Sequence, residues 1–133
     1  PTSLMVHQLL TALLTLPVIL AMDFVWLGFV ARPFYQKQIG ILMGETKFWA
    51  AGVVYLLLAL GLILFALPHA KTYPQALLWG GLFGLIGYGI YDFTNLAVLK
   101  NWTLTVSLVD MAWGGVVCAV ATCAAMFIDK LLR

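Results

Sequence analysis

Four long runs of apolar residues follow one another along the chain, separated by short polar segments. The runs cover residues 8–30, 49–68, 75–99 and 103–128. Within each run the apolar residues are continuous and do not alternate with polar ones, which excludes the strands of a membrane barrel. A helix needs about 20 such residues to cross a bilayer, and lipid offers no water to an open backbone. The pattern therefore predicts an all-α integral membrane protein with four transmembrane helices.

The polar segments predict the topology. Residues 69–74 and 100–102 are too few to cross a bilayer, so neighbouring helices must be antiparallel, in one up-down bundle over residues 1–133. The first run exceeds the apolar stretch of about 7–15 residues in a signal peptide, so we expect it to be a helix of the bundle. Residues 31–48 are amphipathic and predict a short interfacial helix that begins near Pro33 and ends at Gly44.

Composition supports a membrane location and argues against a soluble or nucleic-acid-binding protein. Apolar residues make up 64% of the chain and charged residues 9%, against roughly 25% charged in soluble domains. The net charge of +2 is small and scattered, so membrane lipids are the expected partners and nucleic acid is not. Basic residues are divided almost evenly between the two membrane faces, which leaves the orientation open.

The cysteines and histidines do not predict a metal or cofactor site. Cys118 and Cys123 lie five residues apart on one helix, so they point in different directions and are expected to be packing residues. His7 and His69 fall near one membrane edge, away from the acids within the spans. We expect both to be interfacial polar residues, and no cofactor is expected.

Three aspartates lie inside the apolar runs at matching positions. Asp23 and Asp92 each lie seven residues before the end of a run, and Asp110 lies seven residues after the start of one. The first and third helices run in one direction and the fourth returns, so all three acids lie about 10 Å from the same face. Intramembrane acids are functional by default. We therefore predict that the three carboxylates share one site.

Polar and aromatic neighbours accompany these acids. Trp26 and Trp113 each follow an aspartate by three residues, so an indole N–H could donate to a carboxylate of its own helix. Lys100 is close enough in sequence to extend toward the acids. Burial and mutual repulsion favour the neutral form, so at least one acid is expected to carry a proton at neutral pH. The predicted substrate- or proton-binding residues are Asp23, Asp92, Asp110, Asn95, Trp26, Trp113, Tyr88, Tyr91 and Lys100.

Small residues recur on the third and fourth helices at spacings of three and four. Such spacing lets helix backbones approach closely in lipid. The pattern predicts close packing of the third helix against the fourth, or a homodimer through these glycine-rich faces. The residues are Gly80, Gly81, Gly84, Gly87 and Gly89 on one helix, and Gly114, Gly115, Cys118, Ala119 and Thr122 on the other.

Three stretches carry a family resemblance: "MDFVWLGFVARPFYQKQIG" at 22–40, "GYGIYDFTNLAVLKNW" at 87–102 and "VDMAWGG" at 109–115. With them the chain resembles a family of small bacterial predicted membrane proteins catalogued as a domain of unknown function. The resemblance covers essentially the whole chain and implies four transmembrane helices in a bacterial inner membrane. It implies no substrate or reaction.

Three functions remain open from the sequence. Buried acids beside aromatic rings favour a small transporter or proton-coupled carrier of a small cationic or amphipathic substrate. Because the acids lie near one face only, an intramembrane acid–base enzyme acting on a lipid or isoprenoid is an alternative. A non-catalytic lipid-binding or accessory subunit is the third. A cavity open to water would favour transport, one open to lipid would favour the enzyme, and a closed network would favour the subunit.

Overall fold

Four long helices account for most of the chain. The structure, a computed structural model, describes residues 2–26, Gly28 and residues 47–133. The helices are α1 (Thr2–Val25), α2 (Phe48–Gly61), α3 (Tyr73–Val98) and α4 (Leu104–Leu132). The last turns of α2 continue as a π-helical turn, Leu62–Ala66, and a 3-10 turn, Leu67–His69.

All four helical segments are long and apolar enough to cross a membrane, with lengths of 22, 22, 26 and 29 residues. No strand occurs in the described ranges. The prediction of an all-α membrane protein with four transmembrane helices is therefore confirmed. The predicted interfacial helix, with Pro33 and Gly44, falls in residues 29–46, which lie outside the described residues.

Local side-chain chemistry accounts for several helix ends. The hydroxyl oxygen of Thr72 accepts a hydrogen bond from the Gln75 N–H at 3.3 Å, which caps α3. The hydroxyl oxygen of Thr103 accepts one from the Val106 N–H at 3.1 Å, which caps α4. α1 begins at Thr2 rather than near residue 8, because the apolar residues from Leu4 onward extend the span.

α4 is the central helix of the bundle. It packs along α3 and along α1, and α1 packs along α2. α2 meets α3 and α4 mainly through its last turns, residues 62–69. α4 accordingly has the largest buried share of the four spans. The bundle is thus closed at the end where α2 turns into α3, and α2 and α3 separate toward the other end.

The closed end is filled by small and branched apolar residues. Its core cluster joins α1, the end of α2 and the second half of α4 through Ala12, Ile19, Ala59, Leu62, Ile63, Ala66, Ala121 and Ala125. The ring of Phe83 from α3 packs against this cluster. Close packing of this kind, rather than exclusion of water, holds helices together in lipid.

The glycines of α3 and α4 meet within the chain. A Cβ added to Gly84 would overlap the backbone carbonyl of Gly114, and one added to Gly114 would overlap the ring of Tyr88. These positions therefore allow the two backbones to approach closely, as the small-residue spacing predicts. A homodimer through glycine-rich faces stays a prediction.

Candidate functional site

A cleft of about 550 Å³ lies among the four helices in the half where α2 and α3 separate. Most of its surface is apolar, and the carboxylates of Asp23 and Asp110 lie in its wall. The lining residues are Asp23, Trp26, Ala51, Val54, Tyr55, Leu57, Leu58, Phe83, Gly87, Tyr88, Tyr91, Asp110 and Trp113. Two of the three intramembrane acids thus share one cavity.

From the exposure of its lining residues we infer that the cleft opens sideways, between α2 and α3. Val54 on α2 is 60% exposed and Tyr91 on α3 is 57% exposed, although both line the cleft. Among the described residues, no side chain or neighbouring backbone lies within 4 Å of a Cβ built on Gly87, which is on the α3 side. These residues belong to segments long and apolar enough to span a membrane. The opening therefore faces the surface that lipid would cover.

The carboxylate of Asp23 has a hydrogen-bond donor on each oxygen. Trp113 Nε1 on α4 donates to Oδ1 at 2.7 Å, and the Tyr55 hydroxyl on α2 donates to Oδ2 at 2.5 Å. Asp23 is only 7% exposed, so these donors replace water. An ionised carboxylate can only accept hydrogen bonds, and this environment supplies two of them. Asp23 therefore connects α1, α2 and α4 at the inner wall of the cleft.

The hydrogen-bond acceptor of Trp113 differs from the prediction. The sequence spacing suggests an indole N–H bond to the aspartate of the same helix, yet Trp113 donates to Asp23 of α1. Trp26 also does not donate to Asp23, because its buried Nε1 has no hydrogen-bond partner among the described residues. Same-helix pairing is thus wrong for both tryptophans. The N–H lies on the outer edge of a long rigid ring and so reaches past its own helix.

The two indole rings stack on each other across α1 and α4. The ring centroids of Trp26 and Trp113 are 4.5 Å apart, and their planes differ by 6°. Stacking of large aromatic rings is favourable beyond the area it buries. The stack forms an aromatic wall of the cleft directly beside Asp23.

Asp92 is buried behind the cleft. It is 0% exposed, and it does not line the cavity. Its side chain adjoins the carboxyl group of Asp110, and no donor among the described residues reaches either of its oxygens. Ser107 on α4 donates to the Asp92 backbone carbonyl at 3.3 Å, which aligns the two helices here.

Two carboxylate groups side by side, one fully buried and one half-buried in the cleft wall, are unfavourable without a hydrogen between them. A buried polar atom without a partner costs about 1–3 kcal/mol. A protonated carboxyl group is both donor and acceptor, so one proton shared by Asp92 and Asp110 would satisfy this contact. We call these two residues the Asp92–Asp110 pair. It has one member in the wall of the cleft and one member beneath it.

The remaining predicted residues divide into those at the cleft and those outside it. Tyr88 and Tyr91 line it, and the Tyr91 ring meets Trp102 edge to face at 6.1 Å. Asn95 is half-buried one turn beyond Tyr91 and is not a lining residue. Lys100 is exposed in the turn between α3 and α4 and does not line the cleft either.

Two polar contacts were missed in the sequence. Tyr55 is the second donor to Asp23, and its only signal is a single hydroxyl in the uniformly apolar run of α2. His7 pairs with Asp129, whose other oxygen accepts from Arg133 Nε at 3.1 Å. The expectation for His7 concerned only the acids within the spans, and Asp129 lies just beyond the fourth run. His7 and Asp129 are 122 positions apart, so no spacing in the sequence indicated that they would be in contact.

Comparison with known proteins agrees with this architecture. Residues 8–127 match the family described as Predicted membrane protein (DUF2177). No curated protein and no solved structure matches the chain. The matched range includes every residue of the cleft described above. Because the match spans most of the sequence, the chain belongs to this family of multi-pass predicted membrane proteins, whose function is unknown.

Proposed function

We propose that this protein, in a bacterial inner membrane, binds a lipid- or isoprenoid-class molecule in the cleft and performs acid–base chemistry on it. One observation carries the proposal: two aspartates with different surroundings line an apolar cleft that opens sideways toward lipid. A pathway for a water-soluble substrate would have to open to water at a membrane face. A lateral opening admits a molecule already dissolved in the bilayer.

The size and walls of the cleft suit part of an apolar chain. Its volume of about 550 Å³ is within the range of about 300–1,000 Å³ that is common for small-molecule sites. The walls are mainly aliphatic and aromatic, and the polar groups converge at one place, near Asp23 and Asp110. This arrangement supports binding of the apolar portion by the walls and placement of one reactive group at the acids.

The two acids are suited to opposite roles. Asp23 already has two neutral donors, so it can remain an ionised base or stabilise a positive charge. Asp110 adjoins the buried Asp92, and a proton held by that pair can be delivered through Asp110 into the cleft. Two carboxyl groups in contrasting environments are a common arrangement for an acid and a base.

The chemistry that follows is an isomerisation by proton transfer. The Asp92–Asp110 pair adds a proton to one end of a double bond in the substrate, and Asp23 removes a proton from the atom next to the other end, so that the double bond shifts by one position. The composition of the substrate is unchanged, and the proton returns from Asp23 to the pair between turnovers. A positive charge that develops between these steps would be stabilised by the faces of Trp26 and Trp113, at about 0.5–2 kcal/mol for each well-placed cation–π contact.

Hydrogen exchange into lipid tests this proposal. The protein would be reconstituted with a total bacterial lipid extract in deuterated water, and the lipids would be analysed by mass spectrometry. We expect deuterium at a carbon-bound position of one lipid class, and loss of this exchange in Asp110→Asn and Asp23→Asn. Asp129→Asn is the matched control, since Asp129 is an acid of α4 outside the cleft. Absence of exchange in the wild type, or equal exchange in all variants, would reject the chemistry.

A proton-coupled carrier is the second candidate, and the Asp92–Asp110 pair supports it. A cation that binds at Asp110 would compete with the shared proton, which is the basis of exchange. The core cluster at the closed end is a difficulty, because it fills the route to the opposite face. Proteoliposomes with a pH gradient and ethidium as a cationic probe separate the two candidates. Gradient-dependent ethidium movement that is lost in Asp110→Asn would favour the carrier, and absence of movement would exclude it for this probe.

A further inference from the structure

A second cavity, of about 520 Å³, lies at the closed end of the bundle, opposite the cleft. We call it the basic cavity. It lies between the start of α1, the last turns of α2 with the following turn, and the end of α4. Its polar residues are His7, Gln8, Thr11, Lys71, Asp129, Lys130 and Arg133, and its apolar residues are Leu4, Ile63, Leu67, Pro68, Ala70 and Met126.

The cavity has more positive charge than its single acid can balance. Asp129 is bonded to His7 and to Arg133, so its charge is already compensated. No described residue forms an ion pair with Lys71 or Lys130. The Lys130 ammonium lies 5.2 Å from the centre of the Tyr73 ring, a contact that leaves its charge uncompensated. Two ammonium groups therefore remain available to an anion.

The position of these cations matches the level of lipid phosphates. Lys71 lies in the turn between α2 and α3, and Lys130 lies in the last turn of α4. Both positions are at the ends of candidate membrane spans, where headgroups lie. Below them the wall is apolar and includes Ile63 and Met126, which are 2% and 3% exposed. Cations above an apolar wall match a molecule with an anionic head and an apolar tail.

We propose that the basic cavity binds the phosphate group of an anionic phospholipid, with one acyl chain along the apolar wall. Lysine binds phosphate as a point charge, which suits a headgroup of variable orientation. The site is independent of the proposed chemistry in the cleft, because it lies at the other end of the bundle and has the opposite charge. A phospholipid bound in the basic cavity would be held at the closed end of the bundle and would leave the cleft unoccupied.

The test compares two pairs of lysine substitutions that remove equal charge from the two ends. The double variant with Lys71→Gln and Lys130→Gln removes both uncompensated positive charges from the basic cavity. The double variant with Lys47→Gln and Lys100→Gln is the matched control. Both lysines are exposed at the cleft side, Lys47 before the start of α2 and Lys100 after the end of α3. Native mass spectrometry would measure binding of phosphatidylglycerol and of phosphatidylcholine to the detergent-purified protein.

We expect phosphatidylglycerol to bind about 30-fold more weakly to the Lys71/Lys130 variant, at about fivefold per lysine near an anionic headgroup. Phosphatidylcholine binding and the control variant should be unaffected. Equal losses in both double variants would overturn the proposal, since they would show general attraction of charge. In the wild type, added salt should weaken phosphatidylglycerol binding, and no salt dependence would also overturn it.

A second arm separates a lipid site from a site for free phosphate. Leu67→Gln places a polar group in the apolar wall and should weaken phosphatidylglycerol binding without changing the charge. Inorganic phosphate alone should compete poorly. If phosphate displaces the lipid at similar concentration and Leu67→Gln has no effect, the site binds a free anion and the lipid assignment is wrong.

Discussion

The hydrogen bond from Tyr55 to Asp23 can be tested by removing one hydroxyl group. Tyr55→Phe keeps the ring in the cleft and deletes the donor to Asp23 Oδ2, which is 2.5 Å from the hydroxyl oxygen. Asp23 is 7% exposed, so water cannot easily take the place of the lost donor. Trp113 still donates to the other oxygen. The substitution therefore removes one of the two donors to this carboxylate.

The expected loss of unfolding free energy is about 1–2 kcal/mol. Hydrogen bonds between helices in membranes average about 0.6 kcal/mol, and those to charged groups in proteins reach about 1.5–3 kcal/mol. The bond is between these cases, because the acceptor is a nearly buried carboxylate and Tyr55 is only half-buried. In an Asp23→Asn background the same change should cost less, with a coupling energy of about 1 kcal/mol.

The assay is reversible unfolding in bicelles by steric trapping, for the wild type, both single variants and the double variant. Tyr91→Phe is the matched control, because Tyr91 also lines the cleft, is 57% exposed and keeps its edge contact with Trp102 as Phe. It loses only an exposed hydroxyl whose partner is the neutral Asn95 rather than a carboxylate. Its expected effect is within about 0.5 kcal/mol. The reasoning is refuted if Tyr55→Phe costs no more than Tyr91→Phe, or costs the same when residue 23 is Asn.

Three further predictions concern packing and charge, and each can be read from the unfolding free energy. Gly84→Ala should cost about 1–3 kcal/mol because its Cβ would meet the Gly114 carbonyl. Gly87→Ala should cost nothing, since no contact within 4 Å of its Cβ is found in the described part of the chain; equal effects would contradict the close approach of α3 and α4. Asp92→Asn should change stability by less than about 1 kcal/mol because the amide provides a donor within the pair; a much larger loss would argue against a shared proton. His7→Phe should cost no more than about 1 kcal/mol, since its contact is partly exposed, and a larger loss would show that the contact is a principal constraint on α1 and α4.

Hydropathy was sufficient to predict four transmembrane helices. A run of about 20 apolar residues has few alternatives to a membrane helix. The rise per residue then places Asp23 and Asp110 at a common level, and both line one cleft. These properties depend only on position along a helix, which the sequence states directly.

The sequence did not predict which helices are neighbours or how each is rotated. Asp92 and Asp110 are equivalent by depth, yet rotation directs Asp92 into the contact between α3 and α4 and Asp110 into the cleft. Trp113 bonds to Asp23 because α4 lies beside α1, which hydropathy does not determine. Tyr55 was overlooked because α2 gives no sign of which face would meet an acid.

The central position of α4 has a consequence for biogenesis. α4 follows the other three helices along the chain, so ribosomal synthesis delivers α3 before its main partner. Asp92 would then face lipid, at a cost of up to about 2.5–3.5 kcal/mol, the value for a charged aspartate at mid-membrane. The short turn at 99–103 allows α3 and α4 to insert together as one hairpin, which spares Asp92 that exposure. Asp23 can meet Tyr55 within the earlier hairpin of α1 and α2, so its bond from Trp113 forms only when the two hairpins join.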